Sequence, residues 1–136
     1  MKTKTIVRVK DVMKTDFDVV DGMMTVAEVL KSSRNPEAKC FIIDMRHQDD
    51  EYGIVFLSDI AKQVLARNRS PERVNVYEIM SKPVIGIDPE MDIRYCARLF
   101  ENFGLSRAPV IENKKVLGIV GYTDIVLGGI RDHLEQ

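Results

Sequence analysis

The sequence predicts an α+β fold assembled from two copies of one unit, and three observations point to it. The stretch Gly53-Ile54-Val55-Phe56-Leu57-Ser58-Asp59-Ile60-Ala61 returns 65 residues later as Gly118-Ile119-Val120-Gly121-Tyr122-Thr123-Asp124-Ile125-Val126. Glycine, β-branched pair, hydroxyl residue, aspartate and aliphatic keep their places, which is the signature of an internal repeat. Segments of helical and of strand periodicity then follow the same order in both halves. Finally, half of 136 residues lies near the lower limit for independent folding, so two half-domains sharing one core are favoured over separate beads. An apolar content of 45% is enough to build that core.

Each copy opens on a short helix, expected over residues 10–13 and 77–80, and Asn75 with Glu78 has capping-box spacing. Extended segments follow at 17–21 and 84–88, the second entered through Pro83. Thr25 and Glu28 form a further capping box for a helix whose apolar side is Val26, Ala27, Val29 and Leu30. It must end at Asn35-Pro36, since the residue before proline avoids helical angles. In the second copy Asp92 is the cap, and Ile93, Cys96, Ala97, Phe100 and Phe103 keep helical spacing up to a Gly104-Leu105 C-cap.

Aliphatic strands at 40–43 and 108–111 lead through hairpins into strands at 53–57 and 116–122, so the sheets must be mixed. The second hairpin turns within 112–115, where Asn113 suits a left-handed position. The first turn, residues 45–51, is longer and acidic, and is expected to be exposed and mobile. Closing helices start at Ser58-Asp59, running to about residue 68, and at Thr123-Asp124. Gly128-Gly129 weakens the last one by roughly 1 kcal/mol per glycine. The repeats therefore span residues 8–68 and 75–131, with 69–74 as the linker.

Lys plus Arg (20) nearly balances Asp plus Glu (21), and the net charge of −1 lacks the basic footprint of a nucleic-acid binder. No apolar run is long enough to span a bilayer, and the basic start is not followed by a signal-peptide core. Cys40 and Cys96 sit singly in apolar segments and read as reduced core thiols of a cytoplasmic protein. His47 and His133 have no cysteine or carboxylate at ligand spacing, and no nucleophile stands beside a base. No catalytic residue, no metal site and no required cofactor is expected.

Asp11-Val12-Met13 and Glu78-Ile79-Met80, the run Gly104-Leu105-Ser106-Arg107-Ala108-Pro109-Val110, and the two Gly-x-x-x-x-(Ser/Thr)-Asp stretches together resemble the CBS domain family. The likeness is to a tandem pair of the Bateman-module type, a stand-alone CBS-domain protein, and covers about residues 8–131. It implies two β-α-β-β-α repeats related by a pseudo-two-fold and packed through their mixed sheets. It also implies clefts that bind adenosine nucleotides and pairs that associate with one another. Asp124, and Asp59 in the other copy, would hold ribose hydroxyls. Main chain at Val84 and Phe17 would contact adenine. Ser106, Arg107 and Pro109 would line the same cleft, with Ala38 and Lys39 as first-copy counterparts and Phe41 where Pro109 sits. Gly121, Tyr122, Thr123 and Ser58 complete the implied ligand-binding set. The family signature has Thr or Ser three residues before the aspartate, where this chain has Gly121 and Phe56.

The residues themselves allow a plainer role. Each aspartate stands where a strand becomes a helix and complements the positive helix end. A helix start at a cleft is also an anion site, to which Arg107 could add a bidentate phosphate contact. Lys39 would place a matching cation in the first copy, and Tyr122 either stacks on a base or packs. The implied function is a regulatory sensor that binds AMP, ADP, ATP or S-adenosylmethionine in the cleft between repeats and signals through a homodimer to a protein in trans. The alternative is a ligand-free scaffold with clefts closed by side chains such as Phe56 and Tyr122.

Overall fold

The computed structural model describes residues 6–134. Its elements, in order, are α1 (Val9–Val12), β1 (Val19–Val20), α2 (Val26–Ser32), β2 (Cys40–Ile43), β3 (Gly53–Phe56), α3 (Leu57–Ile60), α4 (Ile93–Phe103), β4 (Arg107–Glu112) and β5 (Lys115–Gly121). Short π-helical turns extend α3 over Ala61–Leu65 and follow β5 over Asp124–Gly128, and 3-10 turns occur at Val76–Glu78 and Arg131–His133. The fold is α+β, as expected. No helix among the described residues is long and apolar enough to cross a membrane.

These elements form two compact units, one made of the segment through Asp16 together with the chain from Ile85 onward, the other of Phe17–Val84. The units are offset from the repeats, because the opening segment of each copy packs with the body of the other copy. In the Phe17–Val84 unit, Val26 N–H donates to Val74 (2.8 Å), Val76 N–H to Met24 (2.9 Å), and Ser81 and Ile54 exchange bonds of 2.9 Å. In the other unit, Ile93 N–H donates to Val7 (3.0 Å), Val9 N–H to Met91 (2.8 Å), and Lys14 and Ile119 exchange bonds of 2.8 Å. The second set reproduces the first at the repeat spacing. Buried backbone groups must be paired, so this ladder fixes each opening segment in place.

The cores follow the same partition. Val74, Val76 and Ile79 join Val26, Val29, Phe41, Ile43, Val55 and Ile60, while Val7 and Val9 join Ile93, Cys96, Phe100, Val110, Val120 and Ile125. The glycine that starts each repeated motif is explained by this approach. A Cβ at Gly118 would stand 2.6 Å from the Lys14 carbonyl oxygen, and one at Gly53 would stand 2.6 Å from Met80 Sδ.

Local chemistry sets the helix limits. The Thr25 hydroxyl accepts the Glu28 N–H (3.1 Å) and Glu28 returns the favour to the Thr25 N–H (2.8 Å), a full capping box. Asp92 accepts the Arg94 N–H (2.9 Å) at the start of α4, and Gly104, at φ 66°, ends it in the left-handed region. At Asn75 the box is half formed. Glu78 accepts the Asn75 N–H (2.9 Å), but the Asn75 side chain donates to the Met23 carbonyl (2.6 Å) instead of capping the turn.

β1 runs parallel to β2, which pairs antiparallel with β3. β4 and β5 form an antiparallel hairpin through Asn113 and Lys114, both at positive φ, and Ile87 adds a parallel bridge to Val110. The extended segments are thus shorter than their sequence suggests: 17–21 yields only Val19–Val20, and 84–88 only the bridge at Ile87. The acidic 45–51 turn is exposed at 46–49 and at 51, as expected, but Asp50 is buried and fastened. It accepts from Lys82 Nζ (2.9 Å), the Arg46 N–H (2.8 Å) and Arg46 Nε (3.1 Å). Cys40 and Cys96 are buried thiols without a disulfide, and burial pushes the Cys96 thiol up to about 11.

Candidate functional site

In the unit that contains Ile85 onward, β5 ends at Gly121 and the chain turns at once into a helix. That turn brings Asp124 back beneath Gly121, where its Oδ2 accepts the Gly121 N–H at 2.8 Å. The carboxylate thus serves as the acid of a helix start, the plainer role, with one oxygen committed. The other oxygen, Oδ1, lies 3.7 Å from Lys14 Nζ; the Asp124 side chain is 8% exposed and that of Lys14 71%. Asp59 does the same in the Phe17–Val84 unit, accepting the Phe56 N–H at 2.8 Å.

Arg107 pairs with Gly121 across the β4–β5 ladder. A Cβ built on Gly121 would stand 3.1 Å from Arg107 Nη2, 3.2 Å from its Nε and 3.2 Å from the Ser106 carbonyl oxygen. The space left by the missing Thr or Ser side chain is therefore occupied by a guanidinium instead of standing open. Ser106 and Thr123 are exposed, and the Ser106 carbonyl accepts the Tyr122 N–H at 3.2 Å. Tyr122 packs edge-on against the buried Phe100, with centroids 5.4 Å apart at 85°, while keeping 40% of its surface exposed. Pro109 is buried within β4, where its carbonyl accepts the Ile87 N–H at 2.9 Å.

Gly121, Asp124, Arg107, Ser106, Tyr122 and Thr123 are therefore gathered in one unit. Phe17, Lys39, Ser58, Asp59 and Val84 belong to the other, where Ser58 and Lys39 are exposed and Val84 donates its N–H to Tyr52 at 3.2 Å.

Strand register corrects the pairing of the two copies. Cys40 pairs with Phe56 as Arg107 pairs with Gly121, and the Lys39 carbonyl accepts the Leu57 N–H (3.1 Å) as that of Ser106 accepts the Tyr122 N–H. Lys39 is therefore the counterpart of Ser106, Cys40 that of Arg107, and Ile42, not Phe41, that of Pro109. A slip of one residue in a strand moves side chains to the opposite face, so the matching cation inferred at Lys39 is not there. At the Gly121–Arg107 position the Phe17–Val84 unit has Phe56 and Cys40.

Lys14 was not legible as a site residue. It lies in the opening segment of the first copy, 110 residues from Asp124, and its counterpart at the repeat spacing is the uncharged Ser81. Only the backbone exchange between Lys14 and Ile119 brings it alongside β5. No three His, Cys, Asp or Glu side chains among the described residues come together as a metal site.

Comparison with known proteins gives this arrangement a family. A family model for the CBS domain matches residues 76–128. A hexameric CBS-CP12 protein from bloom-forming cyanobacteria shares the fold at a TM-score of 0.87 and 33% identity, over 96% of this chain and 76% of that one. The CBS domain pair of protein MJ0100, solved in complex with 5'-methylthioadenosine and S-adenosyl-L-methionine, matches at a TM-score of 0.76 and 26% identity, over 92% of this chain and 98% of that one. The uncharacterized protein MK0525 of Methanopyrus kandleri is 27% identical over 121 residues, which are 88% of this chain and 61% of that protein's length. The chain thus spans less than two thirds of that curated relative. With its ordered motifs present twice and its fold shared along almost its whole length, the chain belongs to the CBS domain family, as a tandem pair.

Proposed function

We propose that the protein is a regulatory module that binds an adenosine ligand at the Asp124 site and passes occupancy to a partner protein through a self-associated form. The observation that carries this reading is the grouping at the end of β5. One carboxylate oxygen of Asp124 remains for a ribose hydroxyl, with the ammonium of Lys14 facing it and the guanidinium of Arg107 lying over Gly121. A hydroxyl donor and an anionic group on one ligand match this set, since charge-assisted bonds are the strong ones. The adenosine compounds held by the MJ0100 pair support the ligand class. The hexameric CBS-CP12 protein supports self-association, as do the exposed Leu65, Val126, Leu127 and Ile130 on the closing segments of both copies.

The role is one of binding, without turnover. Regulation requires that the ligand prefer one of two conformations, and the linkage is set by that difference in affinity. For the equivalent place in the Phe17–Val84 unit a second reading is favoured, a site closed by Phe56, whose partner across the ladder is Cys40.

A thermal-shift panel of AMP, ADP, ATP, S-adenosylmethionine and 5'-methylthioadenosine tests the proposal. A ligand at about 100 times its Kd adds about 2.7 kcal/mol to apparent stability, a readily visible rise in Tm. At least one compound is expected to raise the Tm of the wild type and to lose that effect in Asp124→Asn, whose amide oxygen can still accept the Gly121 N–H. No shift with any compound at millimolar concentration would sink the proposal.

A further inference from the structure

We infer that Lys14 selects phosphorylated over unphosphorylated adenosine ligands at the Asp124 site. The inference rests on the adenosine-ligand reading and adds to it the residue that reads the phosphate. Lys14 is doubly anchored through its backbone, which exchanges two 2.8 Å hydrogen bonds with Ile119 on β5, while its side chain is 71% exposed. Its Nζ reaches Asp124 Oδ1 only to 3.7 Å, too far for a hydrogen bond, so the contact is a loose ion pair. Asp124 cannot move to improve it, because Oδ2 is fixed on the Gly121 N–H at 2.8 Å.

A ribose hydroxyl that donates to Oδ1 must therefore share or take the acceptor that Lys14 faces. The fate of the ammonium then depends on the ligand. A neutral nucleoside offers it nothing in exchange. A phosphate supplies a new anionic acceptor within reach of a flexible four-carbon stem. Arg107, folded over Gly121, is a second cation at the end of β5. Neither cation exists at the equivalent positions of the other unit, Ser81 and Cys40, so the charge belongs to this site and not to the repeat as such.

Calorimetric titration of the full chain with AMP and with adenosine, in wild type, Lys14→Met and Lys14→Arg, tests the inference. The wild type is expected to bind AMP about tenfold more tightly than adenosine, the scale of one charge-assisted contact. In Lys14→Met that ratio should fall severalfold, through weaker AMP binding with adenosine unchanged or tighter, and Lys14→Arg should restore it. Lys14→Met should also melt at the wild-type temperature, as an exposed substitution does. An AMP-to-adenosine ratio unchanged in Lys14→Met, or a wild type that binds both equally, overturns the role of Lys14 and leaves the adenosine reading standing. A wild type that binds neither overturns both.

Discussion

Gly118 and Gly53 occupy the same place in the repeat, yet different atoms confine them. A Cβ at Gly118 would meet a backbone oxygen, that of Lys14, at 2.6 Å, with Met13 Sδ at 2.9 Å; at Gly53 the nearest atom is the sulfur of Met80. A methionine side chain can swing aside, whereas a backbone oxygen held by a reciprocal pair of hydrogen bonds cannot. Gly118→Ala is therefore expected to destabilise by about 1–3 kcal/mol, the usual range for overpacking, and Gly53→Ala by clearly less. Denaturant unfolding of the two variants checks this, and equal losses would contradict it. Both glycines were legible as a motif, but not what they touch. The same holds for Gly121: its identity was plain, while the guanidinium lying over it depends on the β4–β5 register.

Among the elements, the helices were the most legible, because capping residues and apolar spacing act locally. Thr25 with Glu28, and Asp92 with Gly104, bound α2 and α4 as their chemistry requires. The strands were less so, since pairing partners decide where a strand ends, and Val19–Val20 is all that pairs of an extended run. In the acidic 45–51 turn, exposed at 46–49 and 51 as expected, the exception at Asp50 has a related cause. The turn's composition reads as solvated, but Lys82, far along the chain, fastens Asp50. The Lys82 hydrogen bond, with the Arg46 N–H next, holds the Asp50 carboxyl well below the usual carboxylate range. A depressed folded pKa contributes stability that is complete above the unfolded value, about 3.9, and is lost as pH falls towards the folded one. Asp50→Asn should accordingly lower the Tm at pH 7, and its gap from wild type should narrow as pH drops from about 5 to about 2. Melting curves across that range check this, and a gap independent of pH would contradict it.

At the scale of the whole molecule, the repeat in the sequence and the unit in space are different objects. The order of elements and the two glycine-to-aspartate motifs were readable because each lies within one copy. The exchange of opening segments was not, since nothing local in Val7, Val9 or Lys14 says which copy they will pack with. That exchange makes the Asp124 site a product of both copies, with Lys14 from the first and Arg107, Gly121 and Asp124 from the second. It also leaves the two units unequal, one with Lys14 facing its aspartate and Arg107 over Gly121, the other with Phe56 and Cys40 at the latter place. The most direct test of this account is the stoichiometry of AMP binding to the full chain, measured by calorimetry for wild type, Asp124→Asn and Asp59→Asn. One AMP per chain, abolished by Asp124→Asn and kept by Asp59→Asn, is the predicted result; two equivalent sites, or binding lost in Asp59→Asn and kept in Asp124→Asn, would contradict it.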